Sequence, residues 1–159
     1  MPKSWSQSLP EAALLVIGLS SPLLVGVYQE GVLCESYEIN EQSSDALPVL
    51  LRDLSRRYRL VDLAYANGPG SFMAIKVVYV ALKSAAIATG ARLWGRDGFA
   101  FNGGAPIRAT GKRWFVFSAE GIQTVLMEDQ KPATFALPQY LTLTEFEPDA
   151  GPLYVLDAI

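Results

Sequence analysis

Residues 66–76 read Ala-Asn-Gly-Pro-Gly-Ser-Phe-Met-Ala-Ile-Lys, the one stretch whose spacing suggests phosphate chemistry. A phosphate loop aims several backbone N–H groups and a helix N-terminus at an anion, usually beside a lysine. The order Gly68-Pro69-Gly70-Ser71 lacks the Gly-Lys-Ser/Thr ending of such a loop, and Pro69 removes one N–H. The dinucleotide pattern G-x-G-x-x-G fails too, because Met73 stands where its third glycine belongs. The better reading of Gly68, Pro69, Gly70, Ser71 and Phe72 is a tight strand-to-helix turn in which Ser71 caps the helix.

Other reactive side chains are scattered. Asp53, Asp62, Asp97, Glu120 and Asp157 could coordinate magnesium or act as bases, yet none sits in a paired motif. Helix surface, turns and strand ends account for them. The chain has no histidine, which removes the commonest general base and metal ligand, and no G-x-S-x-G occurs. Its one cysteine, Cys34, lies in an apparent strand and reads as a structural thiol; no intrachain disulfide or cysteine-based zinc site can form. That suits a reducing, cytoplasmic setting. No metal site is expected. Arg52, Arg56, Arg57 and Arg59 are the densest cationic run, first a solvated helix face and second a patch for RNA phosphates. A net charge of −3 argues against a surface devoted to nucleic acid.

The elements that must hold these residues follow from the apolar pattern. At 159 residues and 50% hydrophobic composition, the chain can bury a core as one compact unit of two small lobes, 1–97 and 98–159. No charge occurs from Ala12 to Gln29, about a bilayer's span, but Ser20-Ser21-Pro22 breaks that run. Two buried strands, Leu14–Leu19 and Leu23–Tyr28, fit better, and no membrane partner is expected. Val32–Ile39 completes a meander after the Glu30-Gly31 turn. Leu47, Leu50, Leu51, Leu54 and Tyr58 recur at helical spacing, with Asp45 as the expected cap and Pro48 in the first turn. Leu60–Ala66 is a fourth strand, a helix runs from Ser71 to Thr89 with Gly90 as its stop, and Arg92–Trp94 is a fifth strand. The second lobe opens with a glycine-rich loop at 97–111 carrying one helical turn. A meander of Trp114–Ala119, Ile122–Glu128 and Thr134–Leu137 follows, with a last strand at Leu153–Leu156.

The helix after the glycine turn has more apolar surface than one sheet contact needs. Ile75, Val78, Tyr79, Leu82, Ala85 and Ala86 make one face; Met73, Val77, Val80, Ile87 and Ala88 make another. Lys76 and Lys83 lie in a strip between the two. Something must cover the second face, either another chain, the favoured reading, or the second lobe.

The β-β-β-α-β-α order with two meanders resembles the half-domain plan of the actin-like, sugar-kinase and Hsp70 (ASKHA) superfamily. Four stretches resemble the TsaB (YeaZ) family within it: 14–31, 42–54, 66–86 and 90–99, with "GPGSF" the most specific. The resemblance implies an α/β, ASKHA-type first lobe of order βββαβαβ with a reduced second lobe. It implies a non-catalytic accessory subunit of the machinery that makes N6-threonylcarbamoyladenosine (t6A) in tRNA, stabilising the TsaD-type catalytic subunit. Met73, Lys76, Val77, Val80, Lys83 and Ser84 would then form the partner interface. ATP and metal would belong to partner subunits, a TsaE-type ATPase is a further candidate partner, and a homodimer is expected when the partner is absent. Direct tRNA contact is left open. The departures point the same way: Gly18 replaces the aspartate of the first strand turn, Gln42 a histidine, Met73-Ala74 a Thr-Gly pair and Lys76 an arginine. Ser118-Ala119-Glu120 replaces an Asp-Ala-Arg motif. The rival is a small nucleotide-binding, kinase-like enzyme of the same superfamily. Metal-dependent proteolysis, an activity once attached to relatives, has no visible ligands here.

Overall fold

Leu14–Ile17 and Leu63–Ala66 are continuous apolar runs, the composition of strands buried on both faces. In the computed structural model, which describes residues 8–40, 43–128 and 134–155, they belong to the two central strands of a six-stranded sheet. β1 (Glu11–Ile17), β2 (Leu23–Gln29) and β3 (Val32–Ile39) form an antiparallel meander. The chain crosses through helix α1 (Ser43–Arg57) to β4 (Arg59–Ala66), parallel to β1. It then crosses through α2 (Phe72–Thr89) to β5 (Arg92–Arg96), parallel to β4. β6 (Ile107–Arg108), β7 (Arg113–Ser118) and β8 (Gly121–Leu126) make a separate antiparallel sheet. β9 (Glu147–Pro148) returns to pair with β5, giving the order β3-β2-β1-β4-β5-β9. The first lobe is the α/β, βββαβαβ arrangement expected, and β9 adds to it a strand from beyond residue 98.

Alternation along the central strands sorts side chains into two cores. Leu14, Val16, Leu63 and Tyr65 pack under the helices with Leu47, Leu51, Leu54, Val78 and Leu82. Leu15, Ile17, Ala64 and Ala66 face the opposite way, against Phe99, Phe101, Ile107, Phe115 and Phe146. The result is three layers: two helices, the large sheet, and the small sheet with its flanking segments.

Several expectations shift. β1 starts at Glu11 and ends at Ile17, and β5 extends to Arg96. α1 begins at Ser43, so Asp45 lies in its first turn instead of capping it, and Pro48 sits inside the helix. The missing Pro48 N–H frees the carbonyl of Ser44, an exposed residue whose backbone water can satisfy. Residues 134–137 form no strand; the Ala136 N–H bonds the Phe101 carbonyl at 2.9 Å. Leu153–Val155 is not a strand either, its place in the sheet being taken by Glu147–Pro148. Cys34 is exposed on the edge strand β3, so it is no core thiol. The uncharged run 12–29 does form strands. Gln42, the Asp129-Gln130 turn, Leu156 and Asp157 lie outside the described residues.

Candidate functional site

The glycine turn forms as expected, with Ser71 as N-cap and Gly90 in the left-handed region as C-cap of α2. Its surroundings decide its chemistry. Asn67, Gly68, Pro69 and Gly70 are all buried. The Gly68 carbonyl accepts from Gly98 N–H at 2.8 Å, and the Asn67 carbonyl accepts from Leu153 N–H at 2.6 Å. The Asn67 side-chain amide donates to the Gly151 carbonyl at 3.1 Å. Gly68 has φ 134°, and a Cβ there would stand 2.2 Å from the Leu153 carbonyl oxygen. Glycine is therefore required by the close passage of segment 147–155. These contacts hold the Asn67–Gly68 end of the turn against the chain, while Gly70 and Ser71 border the cleft before the small sheet.

The carboxylate of the first strand turn is excluded as well as absent. A Cβ on Gly18 would meet Val78 Cγ2 at 2.7 Å and Leu23 Cδ1 at 3.0 Å, so α2 fills that position. The other acidic candidates are dispersed. Asp62 accepts from Arg92 Nε at 3.1 Å and from Trp94 Nε1 at 2.8 Å. Asp97 caps a 3-10 turn by accepting from Phe99 N–H at 3.0 Å, Glu120 accepts from the Gln123 amide at 3.2 Å, and Asp53 is exposed on α1. Among the described residues no three His, Cys, Asp or Glu side chains gather closely enough to hold a metal. A cleft of about 490 Å³ separates the start of α2 from the small sheet. Arg113 lines it, and none of its lining residues carries a carboxylate.

α2 meets the rest of the molecule through one side only. Ile75, Val78 and Leu82 are buried, and Tyr79, Ala85 and Ala86 are half-buried against the helix-side core. Met73 is 67% exposed, Val80 52% and Ile87 76%, so the second apolar face is uncovered by the described residues of either lobe. The helix is long and apolar enough, by length and composition, to cross a membrane; in this fold it lies on the sheet beside α1. Between α1 and α2 runs an open groove of about 600 Å³. Pro48 and Leu51 line it from α1, and Met73, Val77, Val80 and Ala88 from α2, with Arg52 and Lys76 among its charged side chains. Of the expected interface residues, Met73, Lys76, Val77, Val80 and Ser84 line this groove, while Lys83 is exposed on α2 but does not. Sequence periodicity finds the α2 half; the α1 half escapes it because Pro48, Arg52 and Ser55 carry no apolar signal.

The arginine run divides. Arg57 binds Glu35 through both terminal nitrogens, at 3.2 and 3.1 Å, and Arg59 pairs with Glu11. Glu35 also accepts from the Tyr37 and Tyr58 hydroxyls. Those hydroxyls, then the Arg57 guanidinium, hold the Glu35 carboxyl at about 2, and the same carboxylate pushes Tyr58 up to about 12. The cluster fastens β3 to the end of α1. Arg52 and Arg56 stay exposed.

The fold is shared with known structures. The chain is similar to YeaZ from Pseudomonas aeruginosa, with TM-score 0.56 and 16% identity, over 75% of this chain and 66% of that one. It is equally similar, again at TM-score 0.56 and 16% identity, to an uncharacterised P. aeruginosa protein described as resembling the peptidase YeaZ. That match covers 80% of this chain and 70% of the other. The chain thus spans about two thirds of the YeaZ structure. No family model matches the sequence, and no curated protein does.

Proposed function

From a fold shared with YeaZ structures, we propose that the chain is a TsaB-like, non-catalytic accessory subunit of the t6A machinery. In this reading it works in the cytoplasm and binds and stabilises a TsaD-type catalytic subunit through the α1–α2 groove. The observation that carries the reading is the bare apolar face of α2, where Met73, Val80 and Ile87 are each more than half exposed beside the groove. Such a surface costs solubility when left alone and is typical of an interaction site. ATP, metal and transfer chemistry would sit on partners, and the closed Gly18 position and buried glycine turn support that division. A kinase-like enzyme would need a carboxylate where Val78 fills the space beside Gly18.

Co-purification with the TsaD-type protein of the same cell tests the proposal. Wild type is expected to co-elute with it, and Val77→Glu and Val80→Glu to elute alone while retaining wild-type circular dichroism. Equal binding by both charged variants would show that the face is the wrong one.

A further inference from the structure

A sheet ends in edge strands, whose outer backbone groups are open to pairing unless something guards them. The two sheets have edges at β3, β9, β6 and β8, and the first three are guarded. β3 carries Glu35 and Glu38, and segment 139–141 covers its start. There Leu33 N–H donates to the Gln139 carbonyl and Leu141 N–H to the Gly31 carbonyl, both at 2.9 Å. β9 is two residues long and contains Pro148, and β6 is also two residues long. β8 has none of these devices. It is six residues long, and no charge or proline occurs from Gly121 to Met127.

The Met127 N–H donates to the Lys112 carbonyl at 2.9 Å, which fixes the alternation of the β7–β8 ladder. Gly121, Gln123 and Val125 exchange bonds with β7, and Ile122, Thr124 and Leu126 turn their N–H and C=O groups outwards. Among the described residues nothing pairs with that outer side. The side chains of the same three residues share one face of the strand. Ile122 packs on the core between the two sheets, whereas Leu126 at the far end is 72% exposed.

We propose that β8 pairs antiparallel with β8 of a second copy across a two-fold axis at Thr124, joining the two small sheets into one. That axis sets Thr124 against its own copy and Ile122 against Leu126. The outward residues of both strands then meet as hydrogen-bonded pairs and exchange about six backbone bonds. Leu126 comes to lie beside an Ile122 already anchored in the other copy's core, and the facing threonines add a cross-strand pair. An identical strand suits this edge because it brings no charge against an uncharged run and covers each exposed apolar position with its own. Only the flanking Glu120 and Glu128, both exposed, oppose each other at the ends, a small repulsion in water. The assembly closes at two, since the outer edges of the joined sheet are the two-residue β6 strands. β8 lies across the large sheet from the helices, so the α1–α2 groove stays open and the inference does not depend on the partner reading.

Sedimentation equilibrium on the intact Val80→Glu chain tests this, that substitution keeping association through the helix face out of the measurement. The mass should rise with concentration towards twice the monomer's 17.3 kDa and no further. An interface at the small end of the specific range should populate at about 0.1 mM. Amides of Ile122, Thr124 and Leu126 should exchange more slowly in the concentrated sample than in a dilute one, with Gln123 and Val125 little changed. Leu126→Lys, added at its exposed site, should weaken the dimer roughly tenfold or more with circular dichroism unchanged. Glu128→Lys should instead tighten it several-fold, because in this register it sets a cation against Glu120 of the second copy. A monomer at every concentration overturns the proposal, as does a dimer that Leu126→Lys leaves intact. Weakening by Glu128→Lys overturns the register and the axis at Thr124. Masses growing beyond the dimer would mean open stacking in place of a closed pair. Protection of the same amides only when the TsaD-type subunit is added to the wild-type chain would make a partner's strand the occupant.

Discussion

Gly18 and Glu35 show how single positions decide what this molecule can do. At Gly18 a side chain of any kind must displace Val78 Cγ2 from 2.7 Å, so restoring an acid does not restore a metal site. Gly18→Asp should lower stability by about 1–3 kcal/mol through overpacking and a poorly solvated charge. Chemical denaturation should show a lower midpoint, and calorimetry no gain of ATP–magnesium binding. At Glu35 the folded carboxyl is held near 2, below its ordinary value. The stabilisation is therefore complete above the ordinary carboxylate range and is lost as pH falls through it towards about 2. Glu35→Gln should cost about 1 kcal/mol at neutral pH, given the partial exposure of the cluster, and the gap to wild type should close in acid. A gap independent of pH would mean that the hydrogen bonds, and not the charge, matter.

α2 is the element where packing and exposure can be separated by two substitutions only two residues apart, on roughly opposite sides of the helix. Leu82 is fully buried, so Leu82→Ala should cost about 2–5 kcal/mol. Val80 is 52% exposed, and Val80→Ala should change stability by less than about 0.5 kcal/mol while weakening partner binding. Thermal melts of the two variants check the contrast. Both faces of this helix were legible in the sequence, because Ile75, Val78 and Leu82 and then Met73, Val77 and Val80 repeat at helical spacing. The βββαβαβ order was legible for the same reason, each apolar run ending at a turn residue. Two-residue strands were not: Ile107–Arg108 and Glu147–Pro148 are too short to show a period and owe their pairing to β7 and β5. Nor was the closing of the glycine turn, since nothing near residue 68 announces Leu153.

The whole molecule is tied together by segment 147–155, which joins the large sheet and then crosses the glycine turn. Tyr65 donates its hydroxyl to the Ala150 carbonyl at 2.9 Å in a buried setting. Tyr65→Phe leaves that carbonyl unpaired and should cost about 1–3 kcal/mol. Hydrogen exchange should report faster exchange at the Leu153 amide, which bonds Asn67, with helix α1 little changed.

The spacing of those contacts also has a consequence for synthesis. The bonds from Tyr65 to Ala150 and from Asn67 to Gly151 join residues 85 and 84 positions apart. At about 5–20 residues per second, a ribosome takes roughly 4–17 s to cover that distance. Throughout that interval β4 and its turn await the backbone that will cover them, leaving apolar surface open to chaperones or to misassembly. The motif that reads as the most local in the sequence is thus the last to be finished as the chain is made.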